Sequence, residues 1–175
     1  MVKHPDHVKG FEGTLDELAR NIGNMTYDKT AEFIESLADD LRRQGDTYTK
    51  RGEAQLAYPV ENSAALLYQA KEEIENAWKI CKPYMEEQIR KKRKTKHLDY
   101  IEEYEGTLED LAKDIGNITE GITAIFIGYL ADDLRRQGDA DTKRGYVQLV
   151  ARLYDAAEIL YKAKDEIEKV KEIER

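Results

Sequence analysis

Cysteine is almost absent from the sequence, and this limits what can hold the fold together. Cys81 is the only cysteine among 175 residues, so no disulfide can form within the chain. A lone thiol is typical of proteins made in a reducing compartment, and we therefore expect a cytoplasmic protein or a recombinant product of the cytosol. Residues 1–9 contain no apolar core of the kind that a secretory signal needs.

The sequence also has no long apolar run, no excess of basic residues and only three histidines. No stretch approaches the roughly 18 apolar residues of a membrane-spanning helix, so we expect no membrane contact. The formal net charge of -8 argues against nucleic-acid binding. The three histidines are His4, His7 and His97, and none forms a Glu-x-x-His pair. We therefore predict no metal site, no cofactor and no catalytic residues.

What the sequence does contain is an internal repeat. Residues 11–82 align without a gap with residues 104–175 at an offset of 93, and 39 of the 72 aligned positions are identical. One ten-residue block, Leu37–Asp46, returns unchanged as Leu130–Asp139. Self-similarity at a fixed offset predicts two copies of one supersecondary unit.

Each copy has the apolar periodicity of three helices. In the first copy, a capping box that starts at Thr14 opens helix one, and Gly23 is predicted to end it in a left-handed conformation. Helix two is predicted to begin near Thr26 or Asp28 and to end at Gly45. Helix three is long, with apolar residues at steps of three and four. The second copy has equivalent signals.

These patterns predict an all-α protein in which two three-helix repeats, joined by a charged helical connector, form one pseudo-symmetric helical bundle that shares a core. Pro59 is expected to kink the third helix of the first repeat or to delay its start. The predicted boundaries are a flexible N-terminus at 1–10, a first repeat at 11–84, a connector at 85–103 and a second repeat at 104–175.

The connector contains a basic run, Arg90–Lys96. Such a run can mark nuclear localisation or nucleic-acid binding, but a solvated helix face fits the overall acidity better. We interpret the run in the second way.

The repeats differ in clusters. On helix two, Lys29, Glu32 and Ser36 of the first repeat become apolar or aromatic in the second, and the same happens where helix three starts. Because helix two ends where helix three begins, the two clusters are expected to be neighbours. The predicted partner-binding residues of the second repeat are Ile122, Ile125, Gly128, Tyr129, Tyr146, Val147, Val150 and Tyr154.

Two glycines beside this predicted face favour a close partner. Gly121 and Gly128 replace Asp28 and Glu35, although a mid-helix glycine costs roughly 1 kcal/mol relative to alanine. That cost is understandable if a helix or a hydrophobic groove of another protein approaches the backbone. An interface between the repeats, a small-molecule pocket, or self-association through the same face are the alternatives.

Identical blocks beside clustered, non-conservative changes resemble a computationally designed binding protein built on a duplicated helical-bundle scaffold. The resemblance implies a fused-dimer architecture with a new binding face on one copy. The first repeat has its own odd residues, Tyr48, Tyr58 and Pro59, which form a candidate for a second altered surface.

One enzyme alternative remains. Glu32, Glu35 and Asp39 resemble part of the magnesium site of the all-α nucleotide pyrophosphatases, which would imply a metal-dependent hydrolase. The second acidic pair of that pattern is missing, because Asn76 stands where an acid is needed. A purely structural engineered bundle is the third interpretation, and it predicts no exposed apolar patch.

Overall fold

The residues that the structure describes form six α-helices. The computed structural model describes residues 8, 10–90, 101 and 104–174. In chain order the helices are α1 (Leu15–Gly23), α2 (Tyr27–Lys50), α3 (Ala54–Arg90), α4 (Leu108–Gly116), α5 (Glu120–Lys143) and α6 (Val147–Ile173). The described residues contain no strand. The prediction of an all-α helical bundle is confirmed.

Capping boxes start the two short helices, as predicted. At α1, the Thr14 hydroxyl accepts from the backbone N–H of Glu17 at 3.2 Å, and the Glu17 carboxylate accepts from the backbone N–H of Thr14 at 2.9 Å. Thr107 and Asp110 form the same pair at α4. Each box satisfies two of the backbone donors that a helix start leaves unpaired.

The predicted left-handed stop at Gly23 is wrong. Gly23 is the last helical residue of α1, and Asn24 caps the helix in a right-handed conformation at φ -87°. Gly116 and Asn117 repeat this arrangement at the end of α4. These glycines therefore do not reverse the direction of the chain. Their role is in the packing of one helix against another.

The predicted ends of helix two are also wrong. Gly45 and Gly138 lie inside α2 and α5, which continue for another turn and a half. Two glycines that follow these helices do adopt the left-handed conformation, Gly52 at φ +77° and Gly145 at φ +80°. Each lies in the tight turn that joins a pair of antiparallel helices, where a residue without a Cβ is least strained.

The four long helices pack as two hairpins, α2 with α3 and α5 with α6, and α3 lies against α6. Glu73 of α3 pairs with Arg152 of α6 at 3.0 Å, whereas Ser63 donates to the carbonyl of Ala163 at 3.0 Å. Residue numbers rise along one helix as they fall along the other, so α3 and α6 are antiparallel. α3 begins at Ala54 and includes Pro59, so the proline does not delay its start.

The short helices are exchanged between the two hairpins. α1 packs mainly against α5, and α4 packs mainly against α2. Gln137 of α5 donates to the carbonyl of Gly23 at 2.5 Å, and Gln44 of α2 donates to the carbonyl of Gly116 at the same distance. The first helix of each repeat therefore packs mainly against the other repeat rather than against its own.

This exchange explains the glycines at the ends of the short helices. A Cβ at Gly23 would overlap the carboxylate of Asp133 and lie 3.0 Å from its Cγ. Asp133 is buried and is held by Arg136 at 2.7 Å and by Gln137 at 2.9 Å. A Cβ at Gly116 would overlap Asp40 in the same way. The glycines permit a buried carboxylate to lie against the helix end.

Most of the buried apolar residues form one cluster to which all six helices contribute. At its centre, the rings of Phe33 and Phe126 meet edge to face with centroids 5.9 Å apart. Val8 lies in the segment predicted to be flexible, yet it is buried in this cluster. The predicted boundary after residue 84 falls inside α3. His4, His7 and His97, and the basic run beyond Arg90, lie outside the described residues.

Candidate functional site

The predicted binding residues do not form one face. α5 and α6 are antiparallel, because Gly121 at the start of α5 faces Lys171, whereas Gly138 near its end faces Tyr154. Ile125 and Tyr146 are thus separated by most of α5, about 27 Å at 1.5 Å per residue. The expectation that the two clusters are neighbours is wrong, because only the last turn of α5 lies beside the first turn of α6.

The first cluster, which we call the α5 surface, consists of Ile122, Ile125 and Tyr129. Ile125 is 45% exposed. Ile122 and Tyr129 are half-buried and pack against the core. The α5 surface therefore presents one apolar side chain fully and two others only in part.

The glycines beside the α5 surface are covered by the protein itself. A Cβ at Gly128, which is buried, would lie 3.2 Å from Cδ of Lys164, and one at Gly121 would lie 3.6 Å from Cδ of Lys171. Both lysines belong to α6, and their alkyl stems lie over the glycines while Lys164 also pairs with Glu168 at 3.4 Å. The interpretation of a bare strip open to a partner helix is therefore wrong.

Alanine at position 121 is expected to stabilise the protein by about 0.5 kcal/mol, because it restricts the unfolded backbone and the new Cβ meets Lys171 at ordinary contact distance. Urea unfolding would measure the change. Gly52→Ala is the matched control: nothing lies within 4 Å of its added Cβ, but φ is +77°, so it should destabilise by about 1 kcal/mol. A loss of stability in Gly121→Ala would contradict the assignment of this glycine as replaceable.

The second cluster divides into exposed and structural residues. Tyr146 is 47% exposed and Val147 is 77% exposed, whereas Val150 is buried. The ring of Tyr154 lies where Gly138 lacks a side chain, and its hydroxyl donates to the carboxylate of Asp139. Tyr154 thus maintains the packing of α6 on α5 and Val150 is enclosed by the protein, whereas Tyr146 and Val147 are exposed to solvent.

Tyr146 and Val147 form one wall of an apolar groove, and the end of α3 forms the other. The groove has a volume of about 430 Å³. We call it the α3–α6 groove, and its lining residues are Ile80, Cys81, Tyr84, Gly145, Tyr146, Val147, Gln148 and Leu149. Ile80 and Tyr84 are 39% and 57% exposed. Four partly exposed apolar or aromatic side chains therefore surround a single depression.

Sequence reasoning missed Ile80 and Tyr84. They lie four residues apart, one turn of α3, and they flank the apolar stripe to which Cys81 belongs. That spacing on an otherwise charged stretch was the available signal. The antiparallel packing of α3 on α6 then brings this face of the first repeat beside the start of α6.

Cys81 contributes an unreactive thiol to the α3–α6 groove. Burial, with smaller contributions from Asp141 and Asp28, raises the pKa of the Cys81 thiol to about 11. Its Sγ donates to the carbonyl of Trp78 at 3.7 Å. Since the thiolate is the nucleophilic form, the groove offers Cys81 as a packing surface at neutral pH.

The acidic residues of the enzyme alternative each have a partner. Glu32 pairs with Lys29 at 3.1 Å, Glu35 pairs with Lys71 at 3.6 Å, and Asp39 accepts from the hydroxyl of Tyr68. Across the described part of the chain, no three His, Cys, Asp or Glu residues are grouped so as to hold a metal ion. The carboxylates act here as ion-pair and hydrogen-bond partners on the surface of α2.

None of the six described helices combines the length and the apolarity that crossing a lipid bilayer would need. The chain matches no protein-family model, no curated protein and no solved structure.

Proposed function

We propose that the protein is a non-enzymatic protein-binding module and that the α3–α6 groove is its docking face. The observation that carries this proposal is the grouping of Ile80, Tyr84, Tyr146 and Val147, all exposed by more than a third, around one apolar depression. Scattered exposed apolar residues are ordinary on protein surfaces, but a contiguous patch marks an interaction site. Two tyrosines in the patch add the residue type that is enriched at binding hot spots.

The shape and chemistry of the groove favour a peptide or helix that presents a few apolar side chains. Its volume suits small groups rather than a whole domain face. Burial of each apolar side chain contributes about 1.5–3 kcal/mol before the entropy and desolvation costs of association. The α5 surface, with Ile125 at its centre, is the weaker candidate, because two of its three residues already pack inward.

We also infer that the two repeats are related by an approximate two-fold axis, as in a fused homodimer. The paired contacts of Gln137 with Gly23 and of Gln44 with Gly116 support this inference, since they are equivalent under the 93-residue offset. A designed binder with a new face on such a scaffold fits the position of Tyr146 and Val147, which replace Glu53 and Ala54 of the first repeat. The hydrolase alternative has no favouring observation among the described residues.

Val147→Glu is expected to abolish binding at the α3–α6 groove without unfolding the protein. Val147 is the first residue of α6 and is 77% exposed, and a carboxylate in the first turn of a helix is electrostatically favourable. The experiment selects helical peptides from a display library on the unmodified chain and then measures their affinity for variants. Loss of affinity by at least about tenfold, roughly 1.4 kcal/mol, is expected.

Ile125→Glu is the matched control for this experiment, because it places the same charge on an exposed apolar side chain outside the groove. Peptides that bind the groove should keep their affinity for this variant, and both variants should show unchanged circular dichroism. If the peptides lose affinity only for Ile125→Glu, the binding site is the α5 surface and not the groove. Peptides that bind both variants equally well would contradict the proposal.

A further inference from the structure

The exchanged-helix interface is the region where α1 lies on α5, α4 lies on α2, and side chains of α2 and α5 meet. We propose that the two repeats are selective partners: tyrosine–acid pairs at both ends of this interface favour pairing of the first repeat with the second over pairing of either repeat with itself. This interface lies inside the bundle, apart from the α3–α6 groove. The surface that each repeat recognises is the other repeat of this chain.

The first of these pairs joins the end of α2 to the start of α5. The hydroxyl of Tyr48 donates to Oε1 of Glu120 at 2.9 Å, and both residues are half-buried. Burial, followed by the charge of Glu120, raises the pKa of Tyr48 above its ordinary value. Glu53 and Glu174 lie near enough to act in the same direction. Tyr48 therefore remains a neutral donor in an acidic surrounding.

The second pair joins the start of α2 to the end of α5. Tyr27 is buried, and its hydroxyl donates to Oε1 of Gln137 at 2.8 Å. Burial raises the pKa of Tyr27, and the charge of Asp141 is the next cause. Asp141 is buried as well and pairs with Arg144 at 3.4 Å. A neutral phenol again faces an acid across the same interface.

The repeat alignment shows why these pairs discriminate. Tyr27 occupies the position of Glu120, and Tyr48 occupies the position of Asp141. Two first repeats paired with each other would bring tyrosine against tyrosine at both ends. Two second repeats would bring Glu120 against Asp141 at both ends, in partly buried surroundings where like charges repel strongly.

The contacts between these two ends do not discriminate. The Asp40–Gln44–Gly116 contact and its equivalent are built from residues that are identical in both repeats. They would form in any combination of repeats and therefore supply affinity alone. Specificity requires a difference between partners, including a repulsive element against the wrong one. The tyrosine–acid pairs supply such a difference at both ends of this interface.

Reversal of the Tyr48–Glu120 pair in the intact chain tests whether these two residues are energetically coupled. Tyr48→Glu alone brings two carboxylates together and should lower the folding equilibrium constant by at least about tenfold, roughly 1.4 kcal/mol. Addition of Glu120→Tyr restores one phenol and one acid, and the constant should return to within about threefold of the original value. Urea unfolding measures all four states of the cycle. The control is Tyr58→Glu, at a side chain that is 67% exposed, and it should leave the folding equilibrium constant unchanged.

Competition between repeats tests the selectivity directly. A protease site inserted between Thr95 and Lys96 allows the folded chain to be cut into its two repeats, which are then unfolded and refolded together. Native mass spectrometry separates the three complexes by mass. We expect the mixed complex to exceed each self-paired complex by at least about tenfold, and Tyr27→Glu with Tyr48→Asp to remove the excess.

Two results would overturn the proposal. One is additive effects of Tyr48→Glu and Glu120→Tyr in the intact chain, because additivity means that the two residues are not coupled. The other is a statistical distribution of the refolded complexes, with mixed pairs about twice as abundant as each self-pair. If the cut chain does not refold, the cycle in the intact chain decides.

Discussion

Gly23→Ala is expected to lower the free energy of unfolding by about 3 kcal/mol, the upper end of what overpacking costs. The added Cβ would overlap Oδ2 of Asp133, a buried carboxylate that is fixed by Arg136 and Gln137 and cannot move aside without breaking both contacts. The end of α1 must then lift away from α5. Urea unfolding followed by circular dichroism would measure the loss.

Two other glycine variants make this prediction specific. Gly116→Ala introduces the same overlap with Asp40 and should cost a similar amount, whereas Gly121→Ala is expected to stabilise. Asp133→Ala combined with Gly23→Ala would remove the overlapping carboxylate and should recover part of the loss. Unchanged stability of Gly23→Ala would mean that α1 does not lie on α5 as described.

Gln137→Ala should destabilise the protein by about 3 kcal/mol, roughly twice the effect of Gln44→Ala. Both glutamines donate to a glycine carbonyl and to an aspartate of the exchanged-helix interface. Gln137 additionally accepts from the hydroxyl of Tyr27. Its removal therefore breaks three hydrogen bonds, all of them buried, whereas removal of Gln44 breaks two that are only partly buried.

The role of Tyr27 in this difference can be isolated. In a Tyr27→Phe background the hydroxyl is already absent, so Gln137→Ala should cost about as much as Gln44→Ala. Thermal or urea unfolding of the four variants gives the coupling energy between the two side chains. Equal costs of Gln137→Ala with and without the hydroxyl would show that Tyr27 finds another partner.

The helices themselves could be predicted from the sequence because their signals are local. Thr14 with Glu17 formed the expected capping box, and the apolar stripes of α2 and α5 are buried. The helix ends predicted at glycines were wrong, because glycine occurs both in left-handed turns and at close contacts inside helices. Gly23 and Gly45 permit close contact inside helices, and Gly52 permits a left-handed turn. A sequence does not distinguish these uses until the neighbouring helix is known.

The exchange of α1 and α4 could not be predicted from a repeat. Leu18 and Ile22 bury the same apolar stripe whether α1 lies on α2 or on α5, so the pattern is equally compatible with both topologies. The α3–α6 groove could not be predicted for a related reason. The clustered changes drew attention to Tyr146 and Val147, which are exposed, but the other wall of the groove, with Ile80 and Tyr84, comes from the first repeat. Only the antiparallel contact of α3 and α6 brings the two walls together.

The exchanged short helices also affect how the chain reaches this fold. The Gln137–Gly23 hydrogen bond closes a separation of 114 residues, and the Tyr27–Gln137 bond closes one of 110. Helical proteins usually fold quickly because most of their contacts are local. Here α1 packs mainly on α5, which is synthesised about 100 residues later. During synthesis, the apolar surface that α1 buries in the folded protein therefore stays exposed until α5 has left the ribosome. We expect folding to be slower than in a helical bundle of equal length, and truncated chains to be prone to aggregation.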